Sequence, residues 1–106
     1  MRKTIYISGG ITGKPNYMAD FRKAEMHLAK QIGKGKIPYT SIINPAKVNS
    51  TLPLDFEWED YMEVCYRLID LCSAIYMLKG WESSKGANKE LMYAREHGLK
   101  VIYEKE

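Results

Sequence analysis

The chain has 106 residues, enough for one domain with a modest core and no second domain. Apolar residues make up 45% and charged residues 27%, ordinary proportions for a globular protein in water. The formal charge of +3 comes from scattered lysines, so it leaves room for an anionic small ligand but argues against a nucleic-acid polymer as partner.

Thr4-Ile5-Tyr6-Ile7-Ser8 is a short β-rich run ended by Gly9-Gly10, the first expected strand. A loop to Pro15 follows, and Asn16 is the candidate cap of a helix from Tyr17 to about Ile32. Its apolar positions Phe21, Ala24, Leu28 and Ile32 recur at helical spacing. Gly33 and Gly35 end it. Thr40 to Asn44 reads as a second strand, stopped by Pro45. Residues 46 to 55 read as a polar loop, with Asp55 the candidate cap of a helix from about Phe56 to Leu71. Trp58, Met62, Cys65, Ile69 and Cys72 form its inner stripe. Ala74-Ile75-Tyr76-Met77-Leu78 is a continuous apolar run, the pattern of a central parallel strand. A loop, a helix from about Lys85 to His97 closed by Gly98, and a last strand Val101-Ile102-Tyr103 complete the chain.

The order β-α-β-α-β-α-β predicts an α/β fold: a four-stranded parallel sheet between helices, flavodoxin-like, with strand order 2-1-3-4 and a switch point between strands one and three. Two exposed edges on so small a sheet favour association into a dimer or larger oligomer. No apolar run is long enough to cross a membrane, and Met1-Arg2-Lys3 leads directly into a strand without a signal peptide, so a cytoplasmic location is expected. Cys65 and Cys72 stand about 10 Å apart along one helix, too far for a mutual disulfide, and read as buried thiols. Only His27 and His97 could join them as soft ligands, and neither has ligand spacing. No metal is expected.

The stretch Gly80-Trp81-Glu82-Ser83-Ser84-Lys85-Gly86-Ala87-Asn88-Lys89-Glu90 joins the central strand to a helix, where parallel α/β folds bind ligands. Trp81 offers a flat stacking surface, and Trp58 is a second candidate of the same kind. Ser83 or Ser84 suits the helix cap. Gly86 lies one turn before Glu90, so Glu90 leans back toward the gap that Gly86 leaves. A carboxylate there is a candidate nucleophile or base. A glutamate at the border of an apolar face is more often a solvated or ion-paired residue, so its neighbours have to carry the case. Ser8-Gly9-Gly10-Ile11-Thr12-Gly13 follows strand one and permits close backbone approach by a ligand, although it matches neither the dinucleotide fingerprint nor a P-loop. Tyr6, Ser8 and Asn44 lie near strand C-termini, within reach of a sugar. The acidic run Asp55, Glu57, Glu59, Asp60 and Glu63 fits a helix N-terminus better than a cation site.

Four segments carry a resemblance: Lys3 to Gly9, Ile43-Asn44-Pro45-Ala46, Trp58-Glu59-Asp60-Tyr61-Met62, and Cys72 through Glu90. Together they resemble a domain-of-unknown-function family of small phage, prophage and bacterial proteins described as nucleoside 2-deoxyribosyltransferase-like. The resemblance covers nearly the whole chain. The wider superfamily includes nucleoside 2-deoxyribosyltransferases and 2'-deoxynucleoside 5'-phosphate N-hydrolases. It implies a flavodoxin-like fold and a catalytic glutamate after a glycine-containing loop, matched by Glu90, with a strand-one tyrosine beside it, matched by Tyr6. Ser84 stands where the transferases have an aspartate and the N-hydrolases a serine, which leans toward a nucleotide. Many relatives carry an aspartate in place of Ser73, and many in place of Cys65. Asp70 lies nearby without a clear counterpart. These departures bear on turnover more than on binding.

The resulting expectation is cleavage or transfer at the N-glycosidic bond of a 2'-deoxynucleoside or its 5'-monophosphate. Glu90 and Tyr6 would be catalytic, and Ser8, Gly9, Gly10, Asn44, Trp81, Ser84 and Gly86 would bind the substrate. The partners implied are a small-molecule nucleoside or nucleotide and further copies of the chain, with no cofactor. The rivals are a catalytically silent nucleotide-binding or sensing module of the same fold, and a small accessory protein in which the glutamate is structural.

Overall fold

A computed structural model describes residues 3–105. In chain order the elements are β1 (Thr4–Ser8), α1 (Tyr17–Gly33), β2 (Ser41–Ile43), α2 (Pro45–Asn49), α3 (Trp58–Asp70), β3 (Ala74–Met77), a short 3-10 turn (Trp81–Ser83), α4 (Lys85–Glu96) and β4 (Lys100–Tyr103). The four strands form one parallel sheet in the order β2-β1-β3-β4, the flavodoxin-like arrangement expected. The chain leaves β1 for β2 on one side and returns to β3 on the other. The C-terminal end of β1 beside β3 is therefore the switch point, where a crevice opens between diverging loops.

Strand periodicity divides the core in two. Ile5 and Ile7 face α1 and pack with Phe21, Ala24 and Leu28, a stripe at helical spacing. Tyr6 faces the other way. It packs with Ile75 and Met77 of the sheet, Cys65 and Ile69 of α3, and Ala87, Leu91 and Ala94 of α4. Ser8 shares the parity of Tyr6 and is also fully buried. The buried stripe of α4 contains one charged residue, Glu90, between Ala87 and Leu91.

Four local expectations need correction. The segment after β2 is not all loop: Pro45–Asn49 forms α2, because Asn44 caps it by accepting from the Ala46 amide at 3.1 Å and Pro45 at the first helical position needs no amide partner. Asp55 does not cap α3. Glu57 does, and Asp60 reaches back to accept from the Glu57 amide at 2.8 Å. Asn16 precedes α1 but makes no side-chain cap bond. Cys72 is buried but lies in the turn after α3, which ends at Asp70. Both cysteines are free thiols. Among the described residues, no helix is long and apolar enough to cross a membrane.

Candidate functional site

The loop between β3 and α4 is built to hold a fixed shape. Gly80 turns it with φ of 85°, a left-handed conformation that a side chain would strain. Ser84 caps α4 by accepting from the Ala87 amide at 3.1 Å. The Asn88 amide then donates back to the carbonyls of Trp81, Glu82 and Ser84 at 3.3, 3.0 and 2.8 Å, binding the loop onto the first turn of the helix. Glu90 rides on that turn.

Glu90 points across the sheet to β1. Ser8 Oγ donates to Glu90 Oε1 at 2.6 Å, and Tyr6 Oη donates to Oε2 at 3.0 Å. Both donors can reach one carboxylate because alternate strand residues share a face. The 2.6 Å bond has the length of a charge-assisted O–H···O⁻ pair. Glu90 is only 7% exposed. Burial pushes its pKa up from 4.5, while the hydroxyls of Ser8 and Tyr6 and the thiol of Cys65 oppose that shift by favouring the charged form. Burial, reinforced by the Glu90 charge, holds the Tyr6 hydroxyl well above its ordinary value and pushes the Cys65 thiol up to about 12. Tyr6 and Cys65 therefore stay protonated near neutral pH, and the hydroxyls of Tyr6 and Ser8 are the donors that the Glu90 carboxyl accepts from.

The carboxylate opens onto a cavity of about 830 Å³, within the range of small-molecule sites. Gly9 from the β1 loop, and Ser84, Gly86 and Glu90 from the α4 start, form one wall. Tyr17 and Phe21 of α1, Asn49 of α2, and Trp58, Tyr61 and Cys65 of α3 are among the residues that face it from the other side. A Cβ on Gly86 would stand 3.6 Å from Met62 Sδ and 4.0 Å from the Trp58 ring, so its absence widens the passage between α3 and α4. At the rim, Lys85 Nζ sits 4.6 Å from the centroid of Trp58, a cation–π contact that adds positive charge at an aromatic face.

Of the residues singled out from the sequence, Tyr6, Ser8 and Glu90 form one hydrogen-bonded unit, and Gly9, Ser84 and Gly86 line the same cavity. Three lie elsewhere. Asn44 spends its side chain on structure, accepting from the Ala46 amide and donating to Glu25 Oε1 at 3.0 Å. Gly10 borders a smaller crevice of about 270 Å³ with Lys14 and Lys79. The Trp81 ring packs 5.9 Å from that of Tyr103. Trp58 is the tryptophan in the cavity wall. Asp70 is also remote from the cavity, accepting from Tyr93 Oη at 2.6 Å and from Arg67 at 3.1 Å. Sequence reasoning missed Asn49 and Lys85. Lys85 was legible only as a neighbour of the capping serine, and Asn49 carried no signal once its segment was read as loop. Among the described residues, no group of three or more His, Cys, Asp or Glu could hold a metal ion.

The model of one protein family, the domain of unknown function DUF4406, matches residues 3–103. No curated protein and no solved structure matches the chain.

Proposed function

We propose that this chain, which belongs to the DUF4406 family, cleaves or transfers at the N-glycosidic bond of a 2'-deoxynucleoside or its 5'-monophosphate. The observation that carries the reading is a buried carboxylate, Glu90, held by two hydroxyls on β1 and opening onto a nucleotide-sized cavity at the switch point of a parallel sheet. One Glu90 oxygen forms a bond to the anomeric carbon as the bond from that carbon to the base nitrogen breaks, and its electron pair leaves with the base, which takes a proton from water. Water, or a second base, then attacks the same carbon and releases the carboxylate. Tyr6 and Ser8 fix the angle of attack and hold the charged form of Glu90. Trp58 supplies a stacking face for the base. Ser84 and Lys85, at the start of α4, suit a 5'-phosphate. No step calls for a cofactor. The exposed sheet edges favour a homo-oligomer as the working form.

A second reading keeps the ligand and drops the turnover. Cys65 stands beside Glu90 where many of the resembled relatives carry an aspartate, and a thiol titrating at about 12 supplies no second carboxylate near neutral pH. A silent nucleotide-binding module would have this composition.

Free-base release separates the two. Deoxynucleosides and their monophosphates are incubated with the chain, with and without an acceptor base, and released base is followed by chromatography beside Glu90→Gln. Release that disappears in Glu90→Gln supports glycosidic chemistry, and dependence on the acceptor marks a transferase. Saturable binding without release from any substrate refutes the enzymatic reading and leaves the binding module.

A further inference from the structure

The indole in the cavity wall is already in use. Trp58 stands at the first position of α3, half-buried, and Lys85 at the first position of α4 holds its Nζ 4.6 Å from the ring centroid. Both residues line the cavity. The ring also lies against the next residue of α4, where a Cβ on Gly86 would stand 4.0 Å from Trp58 Cζ2 and Nε1. The start of α4 therefore meets the indole at two consecutive residues. Glu90 lies one turn beyond Gly86 on the same helix, so a base carried by a sugar at Glu90 approaches Trp58 from the side that Lys85 takes.

That ammonium is loosely held. Lys85 is exposed, and the salt bridges among the described residues pair Lys14, Lys47 and Arg67 with carboxylates, not Lys85. At an exposed site an ammonium over an aromatic face is a weak contact, and a base that stacks on the same face has to take its place. An anionic oxygen is the stronger partner for the same ammonium. The flexible lysine stem lets Nζ pass from one to the other while the helix stays where it is. A phosphate at the 5' end of the ligand's own sugar supplies such an oxygen.

We propose that Lys85 sets the ligand class of this cavity: its ammonium occupies the Trp58 ring until a 5'-phosphate draws it off, and the base then stacks in its place. The proposal rests on the N-glycosidic reading for the placement of the sugar at Glu90. A nucleoside 5'-monophosphate brings the group that clears the ring and gains an ion pair in doing so. A free nucleoside has to displace the ammonium with nothing to offer it. Lys85 thus acts twice, for the phosphorylated ligand and against the unphosphorylated one.

The test is binding, measured by calorimetry in a Glu90→Gln background so that no ligand is consumed. The probes are the four 2'-deoxynucleosides and their 5'-monophosphates, against Lys85, Lys85→Ala and Lys85→Arg. Lys85 is exposed, so alanine there leaves the fold intact. In Lys85→Ala the monophosphates weaken about tenfold or more, as the loss of a charge-assisted bond requires. The free nucleosides move the other way and tighten about two- to fivefold, the worth of the displaced cation–π contact. Lys85→Arg keeps a cation that can leave the ring for a phosphate, and it retains the preference for the monophosphates. A plain phosphate contact would weaken the monophosphates and leave the nucleosides unmoved. Nucleoside binding that is unchanged or weaker in Lys85→Ala, or monophosphate binding that is unchanged, overturns the proposal, and base release that needs Glu90 keeps the glycosidic reading in that event. Opposite shifts in a chain that releases no base keep the proposal and remove the chemistry. If neither class of probe binds, both fall.

Discussion

Removing either hydroxyl that holds Glu90 should destabilise the chain in a pH-dependent way. Ser8→Ala deletes the donor at 2.6 Å from Oε1, and Tyr6→Phe deletes the donor at 3.0 Å from Oε2. Both residues are fully buried, so water does not replace the lost group. A hydrogen bond to a charged partner contributes about 1.5–3 kcal/mol. At about 4 °C per kcal/mol for a chain of this size, each substitution lowers Tm by about 6–12 °C when Glu90 is ionised. The sign with pH follows from which form the donors favour. They lower the Glu90 pKa against the larger upward push of burial, so their contribution is present above that raised pKa and is lost as pH falls through it. The net shift of Glu90 is upward from 4.5. The side chain as a whole therefore favours folding below its unfolded pKa, and that contribution disappears as pH rises through the folded value. Glu90→Gln has no such loss, so its Tm gains on the wild type with rising pH, while Ser8→Ala and Tyr6→Phe fall further behind. Thermal melts followed by circular dichroism from about pH 4 to about pH 8 read all four chains. Losses for Ser8→Ala and Tyr6→Phe that are equal at both ends of that range, or that shrink as pH rises, would refute the charged-carboxylate account.

Three further predictions concern the walls of the cavity. Gly86→Ala places a Cβ at ordinary contact distance, 3.6 Å from Met62 Sδ, and replaces a helical glycine, so Tm stays level or rises by about 2 °C. Gly9→Ala puts its Cβ 2.9 Å from Leu78 Cδ1 and 3.0 Å from Leu78 Cβ in a packed core, and should cost about 1–3 kcal/mol in chemical denaturation. A Gly9→Ala chain as stable as the wild type would show that the β1 loop is not pressed against Leu78. Cys65, buried and titrating at about 12, should resist alkylation by iodoacetamide in the native chain and react readily once urea unfolds it. Fast native labelling mapped to Cys65 by mass spectrometry would contradict its protonated, enclosed state.

How far the sequence alone reaches depends on whether a feature repeats. The sheet order and the two-sided core follow from β1 and β3, which read as apolar runs, and from the 21, 24, 28 stripe of α1, which recurs often enough to fix a helix. The neighbourhood of Glu90 was legible only in part: the resemblance put Tyr6 beside it and helical spacing aimed it at the gap of Gly86, whereas the bond from Ser8 depends on strand parity meeting α4 across the sheet, which only the structure shows. The five residues of α2 offer no full period, so Pro45–Asn49 hides among polar residues and takes Asn49 with it. The two tryptophans are alike in one dimension. In the structure Trp81 packs beside Tyr103 of β4, while Trp58 stands in the cavity wall.

The position where the local pattern fails is the most informative one. Helix α4 would pack at lower cost with an apolar residue between Ala87 and Leu91, and the fold instead encloses a carboxylate and then commits Tyr6 and Ser8 to holding it. A carboxylate needed only for packing or solubility would be selected toward the surface, where its charge costs nothing. One needed only as a hydrogen-bond hub would be closed off on every side. Glu90 satisfies neither description: two donors grip it from β1 while its remaining aspect faces an open cavity of about 830 Å³. A buried carboxylate retained at that cost beside an open cavity is what the proposed function has to explain, and a purely structural account of Glu90 does not.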